Sequence, residues 1–123
     1  MENANAKDCE NQDSLENMPL SEIAHHAEEA AQFLKMMANP HRLMILCHLL
    51  EKEMSVSEIN QHVLLSQSAL SQHLAVLRNR GIVSTRRDQQ TIHYSLANRG
   101  VEAIISQLYQ QFCAPSGDSD SLG

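Results

Sequence analysis

The sequence predicts a mainly α-helical fold of five helices and one two-stranded β-hairpin. Three observations carry this. The stretch Ser66 to Gly81 (SQSALSQHLAVLRNRG) repeats Leu70, Leu74 and Leu77 at i, i+4, i+7, one face of a helix. Two β-prone runs, Ile82 to Arg87 and Thr91 to Leu96, flank Asp88-Gln89-Gln90, a hairpin pattern. Elsewhere the apolar residues recur with helical spacing. At 123 residues the chain is read as one domain.

Taken in order, residues 1–19 are rich in Asn, Asp and Glu and are expected to form a disordered acidic tail containing Cys9. The ordered domain is expected over 20–113. Its first helix spans Leu20 to Ala38, with Ser21 as cap and a stripe of Ile23, Ala27, Ala30, Leu34 and Met37. Asn39-Pro40 closes this helix and opens a second, with Asn39 as N-cap and Pro40 at N1. The second helix runs to about Lys52 and is apolar nearly all round, so it should be buried, with Cys47 among its buried residues.

Ser55 to Val63 (SVSEINQHV) is a short third helix with a capping box, Ser55 and Glu58. Leu64-Leu65-Ser66 links it to the fourth helix, capped by Ser66 and ended by Gly81 in the left-handed conformation. Two helices so joined form a helix-turn-helix, and the following hairpin makes it a winged helix. Asn98 starts a fifth helix, in which Val101, Ile104, Ile105, Leu108, Tyr109 and Phe112 keep helical spacing to Cys113. Residues 114–123 are expected to be a second disordered tail. The first and last helices both have wide apolar faces, more than so small a core covers, so a homodimer through these two helices is expected.

The net charge is −6, which looks unfavourable for nucleic acid. Its distribution removes the objection. Residues 1–30 hold eight acids and one base, a net −7. Residues 31–113 hold eight bases and five acids, a net +3. Within 66–99, Arg78, Arg80, Arg86, Arg87 and Arg99 stand against Asp88 alone. Local charge sets phosphate affinity. The outer face of the fourth helix carries Ser68, Gln72 and Asn79, short polar side chains that hydrogen-bond base edges and phosphates. A plain amphipathic helix would also show a polar outside; the flanking turn and hairpin favour the DNA reading. With no Trp and two each of Tyr and Phe, no platform exists for stacking unpaired bases, so the expected partner is double-stranded DNA. The expected contacts are Ser66, Gln67, Ser68, Ser71, Gln72, His73 and Arg78 from the helix and Arg86 and Arg87 from the wing.

No segment has the length and apolarity of a membrane span or the pattern of a signal peptide, so a cytoplasmic location away from membranes is expected. Three cysteines in such a chain argue against a disulfide framework. An enzyme is not expected. The Cys47-His48 neighbours point about 100° apart on a helix, and there is no Gly-rich phosphate loop or catalytic carboxylate pair. An interaction module without DNA binding would not need the basic 66–99 region.

The segment LSQSALSQHLAVLRNRGIVSTRRDQQTIHYSL, with ANPHRLMILCHLL upstream, resembles the DNA-binding core of the ArsR/SmtB family of bacterial repressors. The resemblance covers roughly residues 20 to 113. It implies a dimeric repressor on an inverted-repeat operator that releases DNA when an inducer binds, commonly a metal. The family's arsenic and cadmium site uses a Cys-Val-Cys segment; here it reads Ser55-Val56-Ser57, and hydroxyls are poor ligands for soft ions. The family's zinc site needs histidine on the last helix, which here offers only Glu102. His25 and His26 on the first helix are read as surface residues, and His41, His48 and His62 as helix-surface or interface residues. No metal and no cofactor are expected.

The remaining candidate is the thiol pair Cys47 and Cys113. In these contexts the pair resembles the BigR/SqrR/HlyU branch of the family. That resemblance implies a redox or persulfide switch, in which reactive sulfur species link the two thiols within one protomer and weaken operator binding. The plainer alternative is that Cys47 is a small core residue and Cys113 an inert helix end. Cys9 is an extra thiol that resolves an intermediate, caps it or does nothing; its tail position favours the inert reading. A metal-responsive repressor, or an activator that displaces a silencer, remains the alternative.

Overall fold

The computed structural model describes residues 17–113. The acidic tail up to residue 16, Cys9 and the tail 114–123 lie outside the described residues. The elements are α1 (Leu20–Met37), α2 (Pro40–Glu51), β1 (Met54–Ser55), α3 (Val56–His62), α4 (Gln67–Asn79), β2 (Val83–Asp88), β3 (Thr91–Leu96) and α5 (Arg99–Phe112). The chain divides into two compact units after Lys35.

In the first unit, α1 begins at Leu20, and the Pro19 carbonyl accepts from the Glu22 and Ile23 amides at 3.0 and 3.1 Å. Ser21 therefore lies inside the helix and is not the expected cap. These are the first backbone bonds of the helix, so the cap position lies two residues before the expected one. On the predicted stripe, Ile23 is half-buried while Ala27, Ala30 and Leu34 are exposed.

The second unit is built around α2. The Asn39 side chain accepts from the His41 and Arg42 amides, at 2.9 and 3.1 Å, and Pro40 opens the helix. Ile45, Leu46 and Leu49 form its buried side. The helix is not buried all round: Cys47 is half-buried and Met44 exposed. Apolar residues on every face of α2 exceed what a small core encloses, so one side is left uncovered.

The core is completed by Ile59 and Val63, by Leu70, Leu74 and Leu77 of α4, by Ile82, Val83 and Leu96 at the wing base, and by Val101 and Ile105 of α5. The leucine stripe predicted for α4 is thus the buried face. Each fully buried Leu or Ile removes side-chain area from water worth about 1.5–3 kcal/mol.

The capping box of α3 forms as read. Ser55 Oγ accepts from the Glu58 amide at 3.2 Å, and Glu58 Oε1 accepts from the Ser55 amide at 2.8 Å. The turn into α4 is held by Asn60, whose Nδ2 donates to the carbonyls of Val63 at 3.2 Å and Leu65 at 3.0 Å. At the other end of α4, Gly81 adopts φ 72°, and the Ile82 amide reaches back to the Leu77 carbonyl at 2.9 Å. Only a residue without Cβ takes that conformation at no steric cost.

The wing is a β2–β3 hairpin closed by Gln89-Gln90, with Asp88 paired to Thr91 and Val83 to Leu96. It differs from the expected two-stranded ribbon. The short β1 adds to β3, Met54 opposite Tyr94 and Ser55 opposite His93, giving an antiparallel sheet in the order β1-β3-β2. Two residues show no periodicity, so this strand exists only through its distant partner. Gln89 has φ 60°, a left-handed conformation without glycine.

Candidate functional site

The fourth helix presents a continuous polar surface. Ser66 caps it, its Oγ accepting from the Ala69 amide at 3.1 Å, so one acceptor site of this hydroxyl is spent on the helix itself. Gln67, Ser68, Ser71 and Gln72 are all exposed. Ser68, Ser71 and Gln72 share a face at i, i+3, i+4 spacing. Arg78 is exposed near the C-terminal end of the helix. Seven of the nine sequence-predicted residues therefore lie on one exposed helix and its cap, and two on the wing.

His73 differs from its neighbours. It is half-buried, and its Nδ1 accepts from Arg42 Nε at 3.1 Å. Loss of water pushes its pKa down, and the positive charges of Arg42 and His41 push it further. Arg42 also donates through Nη1 to the Met36 carbonyl at 2.9 Å. Sequence reasoning missed Arg42, which stands thirty-one positions before its partner.

The wing arginines separate. Strand neighbours point to opposite faces, and the register puts Arg86 opposite His93 and Arg87 opposite Ile92. Arg86 is engaged by Glu53: Nε lies 2.8 Å from Oε1, and Nη2 lies 2.6 Å from the same oxygen. The hydrogen bond and the charge of Arg86 hold Glu53 below the usual carboxylate range, and Glu53 in turn raises the Arg86 guanidinium. Arg87 donates from Nε to the Gln89 carbonyl at 3.1 Å, buttressing the hairpin tip. Both guanidinium groups are exposed. Glu53 was the second residue the sequence did not single out.

The thiols lie on neighbouring helices, since α2 packs along α5. Both are free, Cys47 half-buried and Cys113 exposed. Burial pushes the Cys47 thiol up first, and the nearby Cys113 pushes it further.

The histidines form pairs. His48 and His62 stack with ring centroids 4.7 Å apart, and His41 lies 5.8 Å from His73. His25 and His26 flank the Glu29 carboxylate at 3.5 and 3.7 Å, all three exposed on α1. Among the described residues, no group of three or more His, Cys, Asp or Glu side chains is arranged to hold a metal ion. Ser55 Oγ is committed to the α3 cap. No described helix is long and apolar enough to cross a membrane.

The family model for bacterial regulatory proteins of the arsR family matches residues 39–85, the span from the α2 cap to the start of the wing. The transcriptional activator HlyU of Vibrio cholerae is 48% identical over 96 residues, which cover 78% of this chain and 89% of the relative. The chain belongs to the ArsR family. Another ArsR-family relative, the biofilm growth-associated repressor of Xylella fastidiosa, is 40% identical, covering 83% of this chain and 90% of its own length. The solved structure of reduced HlyU from Vibrio cholerae superposes with a TM-score of 0.73 at 47% identity, covering 77% of this chain and all of that one. The winged helix is thus shared across most of the described residues, and the chain is an ArsR-family transcriptional regulator.

Proposed function

We propose that the chain is a homodimeric, sequence-specific repressor whose operator affinity is switched by chemistry at Cys47 and Cys113. The observation that supports the switch is that α2, which carries a half-buried free thiol, packs against α5, which ends at an exposed free thiol. The polar face of α4, with Gln67, Ser68, Ser71 and Gln72, reads an inverted-repeat operator, His73 flanks that face, and Arg78, Arg86 and Arg87 supply charge toward phosphate. Leu108 and Phe112 on α5 and Leu34 on α1 are exposed apolar side chains, the kind a second copy covers. No cofactor, metal or catalytic step is part of this reading, and the protein is not an enzyme.

The switch proceeds by thiol exchange. Cys113, the accessible thiol, attacks the outer sulfur of a persulfide and takes it up, releasing a thiol. Cys47 then attacks the inner sulfur of the Cys113 persulfide, forming the Cys47–Cys113 disulfide and releasing hydrogen sulfide. Peroxide reaches the same disulfide through a sulfenic acid, with loss of water. A bond between α2 and α5 restrains the scaffold that sets the spacing of two recognition helices. Description of a relative in a reduced form supports a redox reading.

The test is operator binding before and after persulfide treatment. Wild type releases DNA, with the disulfide within one chain. Cys47→Ser and Cys113→Ser each stay bound, and Cys9→Ser behaves as wild type. Normal release by either of the first two removes the dithiol mechanism. One observation favours a second reading of the outcome: the relative at 48% identity is an activator, so occupancy of the same operator by this chain displaces a silencer and raises transcription. A reporter driven by the operator, with and without the protein, separates the two.

A further inference from the structure

Arg42 occupies the third position of α2 and reaches two other elements. Its Nη1 donates to the carbonyl of Met36, in the last turn of α1, where carbonyls lack partners within their own helix. Its Nε donates to Nδ1 of His73 on α4. An arginine cannot accept a hydrogen bond, so Nδ1 must carry the lone pair, and the single ring proton sits on Nε2. The imidazole is therefore neutral, with one tautomer selected. The loss of water around the ring and the positive charge of Arg42 both favour that neutral form. His73 itself lies between exposed Gln72 and buried Leu74, at the edge of the polar face rather than on its crest. A side chain there meets the flank of a groove, where the sugar-phosphate backbone runs.

We infer that Arg42 is a positioning residue for DNA binding: by engaging His73 Nδ1 it presents Nε2–H to a phosphate oxygen, and through Met36 it fixes that donor to the end of α1. The inference rests on the assignment of α4 as the recognition helix. A neutral donor to phosphate positions the protein without reading sequence and displaces no counterion by charge. Loss of the contact therefore weakens operator and random duplex alike, by about tenfold for one hydrogen bond, with the salt dependence unchanged.

The test uses the full chain with duplex DNA. In the wild type at neutral pH, nitrogen chemical shifts of His73 show Nδ1 unprotonated and Nε2 protonated. Arg42→Gln gives a mixture of tautomers and about tenfold weaker binding to both duplexes. His73→Asn keeps an acceptor for Arg42 but lacks the distal donor, so it folds normally and loses the same affinity. The double variant binds no more weakly than either single one. A wild-type His73 protonated at Nδ1, or additive losses in the double variant, overturns the inference. So does wild-type affinity in His73→Asn, which also covers the case in which Arg42→Gln fails to fold. Gln72→Ala in parallel isolates the assignment of α4: loss of sequence preference there with unaltered His73→Asn binding rejects only the role of Arg42.

Discussion

The Glu53 carboxylate holds the Arg86 guanidinium at 2.6 Å, joining the segment before β1 to the middle of β2. A wing cation is thereby partly neutralised before any phosphate approaches. Glu53→Gln is expected to release it. Binding to random duplex should tighten, and the plot of log affinity against log salt should steepen by about 0.9. Arg86→Ala should then cost less affinity than Arg87→Ala, because only Arg87 lacks a carboxylate partner among the described residues. Titration of both duplex types from low to high salt checks each expectation.

Gln72 stands exposed at the centre of the polar face of α4. Removing its amide by Gln72→Ala should cost about 1–3 kcal/mol on the operator and flatten discrimination at one base pair. Competition between the operator and single-base variants reads this directly. Unchanged preference would remove Gln72 from the reading surface.

Alkylation should distinguish the thiols. Cys113 is exposed, whereas Cys47 is half-buried and its thiol is raised above the ordinary value. Thiolate is the reactive form. In a Cys9→Ser background at pH 7.5, iodoacetamide should label Cys113 first, with Cys47 following only as the solution is made strongly alkaline. Peptide mass spectrometry over time gives the order.

Stability should fall on mild acidification. Burial lowers the pKa of His48, and neighbouring His62 lowers it further, with Glu51 opposing. The folded chain therefore binds this proton less readily than the unfolded chain. The folded state keeps its full stability above the unfolded value near 6.5 and loses it as pH drops below. Melting temperature should decrease between pH 7.5 and 5.5, and His48→Gln should reduce that decrease.

Asn60 supports the turn with two hydrogen bonds from one amide. Asn60→Ala should destabilise the fold by about 1–3 kcal/mol, since two carbonyls lose their donor. Urea denaturation measures it. The effect on DNA should exceed that of an equally destabilising core change, because the turn sets the angle at which α4 is presented.

What could be read from the sequence was whatever repeats or caps locally. Leu70, Leu74 and Leu77 declared the buried face of α4, and Ser66 and Gly81 bracketed it to the residue. Asn39-Pro40, the Ser55–Glu58 box and Asn98 did the same for three other helix starts. Features that depend on distant partners were not readable. β1 forms only because Tyr94 and His93 lie beside it. Arg42 finds His73, and Glu53 finds Arg86, more than thirty positions away. Ser21 misled because hydroxyl chemistry suggests a cap, while the preceding Pro19 carbonyl had already set the helix start. Cys47 misled because its helix has more apolar side chains than its core has room for.

The two residues of β1 carry a mechanical consequence. They hydrogen-bond the inner strand of the wing to the residue that caps α3, so the hairpin has no free hinge at its root. A wing held only by its own turn would swivel independently, like a finger on a loose knuckle. Here α3 and the ribbon are stitched into one stiff plate. Under the proposed switch, a displacement of the helical scaffold should then reach the recognition helix and the wing together, so that contacts to DNA are lost in one step rather than two.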